Sequence, residues 1–496
     1  MRKMKYGKRF AALLLSLTLL GSAAGCGSGR TKAGKEDPGV YPEDPYEINW
    51  YINAKNQPDV EMVEAAVNEI LKEKLNCTLK LNIMDSAQYS KKMSTMVSAG
   101  EYFDLAYTSS AVLTYADYVR SGAFFDMAPY IEQYMPKIKT MFDEKFFSTA
   151  YVDGMLGAIP CYKEYASQIG WIYRKDLAEK YSIDMSQYKT LEELEPVLAM
   201  IKENEPDIEY PMEWDSSMLN QQILSYSMPS LDCVIYLDEG VPRSKIEIFP
   251  DTEEFKQLCA TAHRFYQKGL VKPDALTATD AKSRMSKGKT FAMIASLKPG
   301  GVREAFPNTE VELDQEGVTP IIQNSAQSAM NGISATSKNP YRVMRFLELL
   351  YTDKELSNLI VHGIEGKHYT KLDENTIRIA ENSGYDLSAQ QWMLGNVYNN
   401  YLTEADDPDK YQKYQEFSQQ GIYVPTNGFS PDLSAVELEK VSVSGVKAQY
   451  RNQAMLGTVD PETVIPEYIA KLKEAGIEKI IAEMQQQYDA YLKEQK

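Results

Sequence analysis

Two acidic side chains of this 496-residue chain could form the carboxylate pair that glycoside hydrolysis requires. Glu164 and Glu213 are the pair that we single out among 70 Asp and Glu residues. Glycosidases hold their two carboxylates ~5 to 10 Å apart, and a chain with so many acids brings such a pair together by chance. The Gly-x-Ser-x-Gly motif of many hydrolases does not occur in the sequence. A carbohydrate-active enzyme is therefore an alternative and not the leading hypothesis.

Motifs for nucleotide or metal binding are incomplete. Residues 288–290 (GKT) match the end of a phosphate-binding loop, but Ser283 stands where that motif needs a glycine. The segment that follows reads as a strand, whereas a phosphate-binding loop leads into a helix. His362 and His368 lack the HExxH spacing of zinc hydrolases, and we expect them on the surface. We predict no nucleotide site, no metal site and no cofactor.

The cysteines add no metal site. The sequence has three histidines in all, and no two cysteines show CxxC spacing. Outside the cytoplasm the cysteines beyond residue 26 could form disulfides, and four buried free thiols are an equally good interpretation. These cysteines are Cys77, Cys161, Cys233 and Cys259.

Polar residues that could bind a ligand follow two predicted strands. Residues 47–52 (EINWYI), 78–83 and 103–107 (FDLAY) read as strands, and apolar residues at helical spacing predict a helix between each pair. Crossovers of this length join parallel strands. Ligands bind at the carboxyl ends of such strands. The loops at residues 53–57 and 108–110 are therefore the predicted ligand-facing loops.

A second set of elements begins near residue 159. It combines short strands with a helix whose first residues, 190–193 (TLEE), form a predicted capping box. From Tyr341 onward the pattern is mainly helical, with an interruption at Gly476. The predicted strands of this part are residues 169–173 (IGWIY), 210–214 (YPMEW) and 291–294 (FAMI).

The charge balance excludes two classes of partner. The first 25 residues hold five basic and no acidic residues, so the remainder has 48 basic and 70 acidic residues, a net charge of −22. A surface this negative repels nucleic-acid phosphates and anionic lipid headgroups. We expect no nucleic-acid partner and no electrostatic docking to a membrane. Tyrosine outnumbers phenylalanine by 34 to 15, which fits a hydrated aromatic cleft.

The N-terminus predicts export from the cytoplasm. Residues 10–20 (FAALLLSLTLL) are too few to cross ~30 Å of hydrocarbon as a helix, and after a basic start they read as the core of a signal peptide. Small residues lead into Cys26, as in a bacterial lipobox, which predicts that this cysteine is lipidated. Plain secretion with cleavage near Ala24 is the alternative. Residues 26–46, rich in Gly, Pro and charge, predict a flexible tether.

Several runs of sequence, in the same order along the chain, resemble the extracellular solute-binding proteins of the maltose-binding type, family 1 of the bacterial ABC importers. The last three runs resemble the C-terminal domain of LipO-like lipoproteins. The runs are residues 48–59, 98–107, 120–131, 154–184, 285–295, 331–355, 363–371, 391–396 and 456–483.

The resemblance implies an α/β protein with a two-lobed periplasmic-binding-protein fold of type II. Each lobe would be a mixed sheet flanked by helices, followed by a helical C-terminal extension, and the lobes would close about chain crossings near Pro160, Ile321 and Pro425. The implied boundaries are residues 1–25 for a lipoprotein signal peptide, 26–46 for the tether, 47–159 plus 322–370 for lobe 1, 160–321 plus 371–424 for lobe 2, and 425–496 for a helical region packing on the lobes.

The resemblance also assigns ligand contacts in lobe 1. Asn53, Lys55 and Asn56 match a polar loop that touches sugar hydroxyls. Tyr107 and Thr108 match a position that often supplies an aromatic platform. A pyranose stacks its apolar face on such rings, while its hydroxyls pair with amides and carboxylates.

Further contacts are implied at the crossings and in lobe 2. Glu164 matches an acidic contact at the first crossing, and Trp214 matches an aromatic loop of the second lobe. Phe429 follows the last crossing, where the flanking sequence departs from the family. Tyr162 and Trp392 complete the predicted site.

The resemblance thus implies a lipid-anchored solute-binding protein, monomeric and on the outer face of the bacterial cell membrane. It would capture an oligosaccharide and deliver it to the transmembrane subunits of an ABC permease, without being an enzyme. The alternatives are an extracellular carbohydrate-active enzyme and a peptide-binding or sensor protein of the same fold. Aromatic rings and neutral amides favour a neutral sugar, whereas Lys298, just after the strand at residues 291–294, could face a uronate.

Overall fold

The computed structural model describes residues 44–214, 226–238 and 241–494, with the backbone alone for residues 226–230. The predicted signal peptide, Cys26 and most of the predicted tether lie outside the described residues. Within the described ranges, no helix is both long enough and apolar enough to span a bilayer.

The elements alternate between strands and helices before the chain becomes mainly helical. In chain order the strands are β1 (Tyr46–Asn53), β2 (Cys77–Met84), β3 (Leu105–Thr108), β4 (Ala158–Pro160), β5 (Ala166–Arg174), β6 (Met212–Glu213), β7 (Tyr226–Ser230), β8 (Cys233–Asp238), β9 (Val241–Pro242), β10 (Glu247–Ile248), β11 (Ala292–Leu297), β12 (Leu313–Gly317), β13 (Ile322–Gln323), β14 (Met330–Ile333), β15 (Tyr369–Lys371), β16 (Thr376–Ile379) and β17 (Leu402–Thr403). The α-helices are α1 (Val60–Leu75), α2 (Ser86–Ala99), α3 (Tyr115–Arg120), α4 (Ile131–Tyr134), α5 (Pro136–Met141), α6 (Glu144–Ser148), α7 (Lys175–Lys180), α8 (Leu191–Asn204), α9 (Glu253–Gln267), α10 (Ala281–Ser286), α11 (Gly301–Ala305), α12 (Pro340–Thr352), α13 (Lys354–His362), α14 (Lys410–Gln420), α15 (Glu437–Met455), α16 (Pro461–Glu474) and α17 (Ile477–Glu494).

The first sheet has the strand order β2-β1-β3-β14-β4. As the sequence predicts, β1 pairs in parallel with β2 and with β3, whereas β14 runs antiparallel to β3 and β4. Side chains alternate along a strand, so Ile48, Trp50 and Ile52 of β1 are buried on one face. There the Trp50 ring meets Phe346 of α12 edge-on, with 5.9 Å between ring centroids. This sheet and its helices are lobe 1.

The second sheet has the order β12-β5-β11-β6, and β13 also pairs with β5. Its strand β5 is antiparallel to β11 and β12, and β11 is parallel to β6. The predicted capping box is confirmed at the start of α8, where Thr190 and Glu193 each bond the other's backbone. The strand predicted at residues 210–214 is shorter and spans β6 alone. This sheet, with α8 and α9, is the centre of lobe 2.

The C-terminal helices α15, α16 and α17 share one hydrophobic core with the second sheet. Tyr450 belongs to the same buried cluster as Trp171 of β5. Tyr468 of α16 donates a hydrogen bond to the buried carboxylate of Asp232, and Arg451 of α15 lies 3.4 Å from its other oxygen. The C-terminal region is therefore built into lobe 2.

The predicted interruption at Gly476 is confirmed between α16 and α17. Gly476 has φ +95°, and a Cβ atom there would lie 2.6 Å from Cγ of Glu439. Both the left-handed backbone and the close approach favour glycine.

A small sheet of order β15-β16-β17 packs on the helices of lobe 1. The Tyr401 ring stacks on His362 of α13, and Asn396 donates to the carbonyl of Tyr351 in α12 at 2.9 Å. Residues 371–403, which the resemblance placed in lobe 2, thus contact lobe 1. Strands of two to four residues carry too little periodicity to assign such a segment from sequence.

The described chain passes between the two lobes in three places. The first passage joins β4 to β5 and the second joins β13 to β14, near the predicted crossings at Pro160 and Ile321. The third joins β17 to α14, ahead of the predicted crossing at Pro425. There α14 already belongs to lobe 2, because the hydroxyl of Tyr414 donates to the carboxylate of Glu304 in α11 at 2.7 Å.

Candidate ligand-binding cleft

In both sheets, the edge formed by the carboxyl ends of the strands, which we call the ligand-side edge, lies beside these passages. Thr108 at the end of β3 pairs with Met330 at the start of β14, and Met330 also pairs with Pro160 at the end of β4. In the second sheet, Leu297 at the end of β11 pairs with Gln168 near the start of β5. The carboxyl ends of β3, β4 and β11 therefore lie beside the passages, where open α/β sheets bind ligands.

A cavity of about 260 Å³ lies between the loop after β3, the second passage and the segment that enters α15. Its walls come from both lobes, since Ser110 follows β3 and Leu433 belongs to the core of lobe 2. Asp117 and Lys440 are the charged residues of its described lining. Hydroxyl and amide side chains dominate the rest: Ser110, Thr114, Ser325, Gln327, Thr426, Asn427 and Ser430.

The polar groups of this interlobe cavity differ in whether the protein itself supplies their hydrogen-bond partners. Gln327 donates from Nε2 to the carbonyl of Thr149 at 2.9 Å and accepts from the Ser430 hydroxyl at 3.3 Å. The Thr426 hydroxyl is buried and has no hydrogen-bond partner among the described residues. Leaving a buried polar group without a hydrogen bond costs about 1–3 kcal/mol of folding stability. Thr426 is therefore the buried hydroxyl of the lining whose hydrogen bond the described residues leave open.

Phe429 supplies the aromatic wall of the cavity. Its ring packs on Tyr488 and Tyr491 of α17, with centroids 5.1 Å and 5.5 Å away. The Tyr491 hydroxyl donates to the carbonyl of Pro425 at 2.7 Å. The C-terminal helix thus fixes the position of this ring.

Tyr107 and Trp392 form a second aromatic surface at the end of β3. Their rings meet edge to face with centroids 5.8 Å apart, and Trp392 is the more exposed of the two. Burial raises the pKa of Tyr107 to about 12, so its phenol stays neutral. The neighbouring Thr108 is fully buried, and its hydroxyl donates to the carbonyl of Leu113. Thr108 therefore shapes the loop from inside.

The predicted polar loop after β1 is held by a residue that the sequence did not single out. Gln57 donates from Nε2 to the carbonyl of Lys55 at 3.0 Å and accepts from the backbone N–H of Asp386 at 2.7 Å. Asn53 is half-buried, while Lys55 and Asn56 are exposed. The loop is thereby fixed with the side chains of Lys55 and Asn56 available to a ligand.

Tyr162 lies in a row of aromatic rings along the first passage. Its ring is 5.1 Å from Phe142 and 5.0 Å from Tyr398, and Tyr398 is 5.6 Å from Tyr411. The rings of Tyr162, Tyr398 and Tyr411 are half-buried. Such rings could stack on the apolar face of a sugar.

A cluster of alternating charges, which we call the β11-end cluster, lies beside this row. Lys298, just after β11, is 3.2 Å from Glu164 and 2.8 Å from Glu304. Lys163 also contacts Glu164, at 3.3 Å, and Lys410 bridges Glu304 at 2.6 Å and Asp406 at 2.8 Å. Three lysines thus face three carboxylates: Lys163, Lys298 and Lys410 against Glu164, Glu304 and Asp406.

The β11-end cluster is charged but neutral overall. Burial alone would raise the pKa of Glu164 and of Glu304, but the neighbouring lysines outweigh it. The pKa of Glu164 is therefore lowered, and that of Glu304 falls to about 2. Burial would lower the pKa of Lys298, yet the two carboxylates raise it overall. All three groups are ionised at neutral pH.

Trp214 and Glu213, at the end of β6, are buried in lobe 2. Trp214 belongs to the hydrophobic core, and Glu213 pairs with Arg284 of α10. Burial raises the pKa of Glu213 to about 7, against the lowering effect of Arg284. The suspected carboxylates Glu164 and Glu213 therefore bind different cations, and Glu213 is closed to solvent.

The incomplete phosphate-loop motif and the two histidines have structural roles. Gly288 stands in a left-handed turn before β11, and its carbonyl accepts from Arg174 at 2.8 Å. The expectation that the two histidines are exposed was wrong: His362 and His368 are buried, and His368 lies 3.2 Å from Asp59, the residue before α1. They are covered because residues 363–403 fold back on α1 and α13.

The cysteines and acids add no further site among the described residues. All four cysteines described are buried free thiols. Across the described ranges, no group of three or more His, Cys, Asp and Glu side chains is arranged to hold a metal ion.

In the structure, the residues predicted to contact a ligand lie in several separate places. Phe429 lines the cavity, Tyr107 meets Trp392, and Tyr162 and Glu164 lie along the first passage. The cavity also contains residues that the sequence analysis missed. Thr426 and Asn427 directly follow Pro425, a predicted crossing, and that position was the signal that could have found them.

Comparison with known proteins shows the family. Residues 54–356, more than half of the chain, match the family model described as bacterial extracellular solute-binding protein, and residues 425–493 match DUF3502, a domain of unknown function. The chain belongs to this extracellular solute-binding protein family. It is similar to a carbohydrate ABC transporter substrate-binding protein of Streptococcus pneumoniae serotype 4, with 28% identity over 506 residues covering 99% of this chain and 100% of that protein.

Two further likenesses cover almost the same span. The polygalacturonan/rhamnogalacturonan-binding protein YtcQ of Bacillus subtilis is 22% identical over 97% of this chain and 98% of its own length. The crystal structure of the N-glycan transport solute binding protein NgtS from Streptococcus pneumoniae matches with a TM-score of 0.79 and 26% identity over 91% of this chain and 100% of that one. The predicted fold of mixed sheets flanked by helices, with a helical C-terminal region, is confirmed.

Proposed function

We propose that this protein captures an oligosaccharide between its two lobes and delivers it to the transmembrane subunits of an ABC permease. The observation that carries the proposal is the interlobe cavity, with its hydroxyl and amide lining, its aromatic wall Phe429 and the unpartnered hydroxyl of Thr426. Sugars present many hydroxyls together with apolar ring faces, and both kinds of group find a counterpart there.

The names of similar proteins support the same ligand class. The relative from Streptococcus pneumoniae is named for carbohydrate, and NgtS has been crystallised with Man1GlcNAc and with Man5GlcNAc. YtcQ is named for polygalacturonan and rhamnogalacturonan. All of these ligands are glycans, and they include both neutral and acidic sugars.

The proposal extends to binding without catalysis. Glu164 is engaged by two lysines, and Glu213 is closed to solvent beside Arg284. Neither carboxylate is placed as a free partner of the other, so we expect no hydrolysis at the cleft. Residues 53, 55 and 56 with Tyr107, Tyr162, Trp392 and Phe429 remain the proposed contacts, and Trp214 and Thr108 would support them from inside.

Ligand panels test the function. The protein is incubated with oligosaccharides and, separately, with peptides, and its unfolding temperature and the reaction products are measured. An oligosaccharide at 100 times its dissociation constant should stabilise the folded state by about 2.7 kcal/mol, without turnover. Turnover would favour the enzyme alternative. Stabilisation by peptides alone would favour a peptide-binding or sensor protein.

We further propose that Cys26 carries a lipid and that residues 26–46 tether a monomeric body to the outer face of the cell membrane. A single short apolar segment gives little lasting attachment. The variant Cys26→Ser should therefore appear in the medium or remain as an unprocessed precursor in cell fractionation. Unchanged processing and membrane retention of this variant would contradict the anchor.

Lobe closure completes the proposal. Lobe 1 comprises residues 47–160 and 330–403, and lobe 2 comprises residues 166–323 and 410–494, with the three passages between them as the hinge. Few residues at such hinges absorb the rotation. We expect a bound oligosaccharide to lower the radius of gyration in small-angle scattering relative to the same protein without it.

A further inference from the structure

We infer that Glu164 makes the cleft selective for neutral over anionic oligosaccharides, because it neutralises Lys298 at the ligand-side edge of lobe 2. This inference rests on the proposed function and names the charge class of the sugar that the same cleft accepts. Glu164 acts through Lys298 and is in this sense a positioning residue.

The location of Lys298 gives it access to a ligand. It directly follows β11, whose carboxyl end lies beside the passages between the lobes. About a quarter of its side chain is exposed, 24%, compared with 9% for Glu164. A cation at this edge would be the natural partner of a uronate carboxylate if it were free.

Two carboxylates of the protein already pair with Lys298. Glu164 approaches from the first passage at 3.2 Å, and Glu304 approaches from α11 at 2.8 Å. The Tyr414 ring also lies 4.8 Å from Nζ of Lys298, so of the three N–H donors of the lysine at most one is left for a ligand, and two carboxylates lie beside it. A sugar hydroxyl can accept from that donor, whereas a uronate would meet like charges at short range.

The rest of the β11-end cluster gives a uronate no substitute. Lys163 is held by Glu164, and Lys410 is held by Glu304 and Asp406. Each of these lysines therefore already faces a carboxylate of the protein. In the interlobe cavity, Lys440 lies 3.3 Å from Glu437, and Asp117 adds a negative charge to the lining.

The test compares two panels of sugars on the full-length protein and its variants. The neutral panel contains manno-, gluco- and chito-oligosaccharides, and the anionic panel contains oligogalacturonides and oligomannuronates. Dissociation constants are measured at low ionic strength for the unmodified protein, E164Q, K298M and the double variant E164Q/K298M. E64Q is the matched control, because the side chain of Glu64 on α1 is also 9% exposed and also pairs with a lysine, Lys80 of β2, at 2.9 Å.

The expected result is a change in charge preference and not a general loss. The unmodified protein should bind members of the neutral panel more tightly than any uronate. E164Q should gain about 5-fold in affinity for uronates, the size of a solvent-screened ion pair, so that the ratio of uronate to neutral binding rises. The gain should vanish in E164Q/K298M, and E64Q should leave the ratio of uronate to neutral binding unchanged.

Each contrary outcome has a separate meaning. Failure of every sugar of both panels to bind the folded, unmodified protein would overturn the proposed function and this inference with it. Uronates bound as tightly as neutral sugars, with the binding lost in K298M or in a K55A variant of the exposed loop after β1, would overturn the inference alone. Loss of neutral binding in E164Q without any gain for uronates would also overturn it, by making Glu164 a direct ligand contact.

Discussion

The interlobe cavity lies at the second passage and the β11-end cluster at the first and third, and the two regions differ in how far their polar groups are paired. In the cavity, the buried hydroxyl of Thr426 has no hydrogen-bond partner among the described residues. In the β11-end cluster, Lys163, Lys298 and Lys410 each face at least one carboxylate within 3.3 Å. A buried polar group without a partner leaves a hydrogen bond for a water or a ligand to make, whereas groups that satisfy one another hold the protein together.

One of the largest expected losses of stability comes from breaking the β11-end cluster. Lys410→Met leaves Glu304 and Asp406 without their shared cation, and the Lys410 side chain is only 6% exposed. Removing one partner of a buried ion pair costs about 3 kcal/mol or more, which denaturant unfolding would measure. Lys413→Met is the matched control on the same helix, because its pair with Asp407 is exposed. Equal stability of the two variants would show that the cluster does not hold α14.

Acid should weaken the same cluster in a defined pH range. The folded pKa of Glu304 is about 2 and its unfolded value is about 4.5, so its stabilising contribution is complete above pH 4.5 and disappears as the pH falls toward 2. At 1.36 kcal/mol per pKa unit this amounts to about 3 kcal/mol.

The comparison of the unmodified protein with Glu304→Gln isolates this contribution. The stability difference between the two proteins should shrink between pH 4.5 and pH 2. His362, whose pKa burial lowers to about 4, destabilises both proteins as the pH falls from 6.5 and cancels in the difference. A stability difference that does not change with pH would contradict the assignment.

The two tryptophans separate ligand binding from folding. Trp392→Ala removes a half-buried ring beside Tyr107 and should weaken oligosaccharide binding by ~1–3 kcal/mol, as for aromatic residues at other interfaces. Trp214→Ala removes a ring from the core of lobe 2 and should instead lower unfolding stability by ~3–5 kcal/mol. Calorimetry and thermal unfolding on both variants check this. Loss of binding in Trp214→Ala, with loss of stability in Trp392→Ala, would show that Trp214 is the aromatic platform instead.

The smallest effect on stability is expected inside the cavity. Thr426→Val removes a hydroxyl that has no protein partner, so stability should stay the same or rise by about 1 kcal/mol, while oligosaccharide affinity falls. Thr149→Val is the contrast, since its hydroxyl accepts from Ala326 N–H at 2.9 Å and donates to the carbonyl of Phe146 at 2.8 Å. That variant should lose ~1–3 kcal/mol of stability. A similar loss of stability in Thr426→Val would mean that the Thr426 hydroxyl forms a hydrogen bond in the folded protein.

Local sequence patterns predicted much of the fold and only the outline of the site. The period-2 and helical patterns of residues 47–107 predicted the parallel strands, and TLEE predicted the capping box. These signals are local, since each lies within one or two turns or strands. The segment at residues 371–403 has no such signal, and its contacts with lobe 1 depend on tertiary packing.

The chemistry at the passages depends on distant parts of the chain. Glu164 and Lys298 are 134 positions apart, and Tyr414 and Glu304 are 110 apart. Sequence reasoning marked Glu164 and Lys298 separately, one as a ligand contact and the other as a possible anchor for a uronate. Only the folded chain shows that they bind each other.

Hydrogen exchange measured by mass spectrometry tests the central claim most directly, namely capture of an oligosaccharide between the lobes. With an oligosaccharide identified in the panels at saturation, backbone amides around residues 108–114, 325–328 and 425–431 should exchange more slowly, because these segments from both lobes surround the cavity. The Thr426→Val variant should need more sugar to show the same protection. Protection confined to one lobe, with these three segments unchanged in the bound protein, would contradict the account.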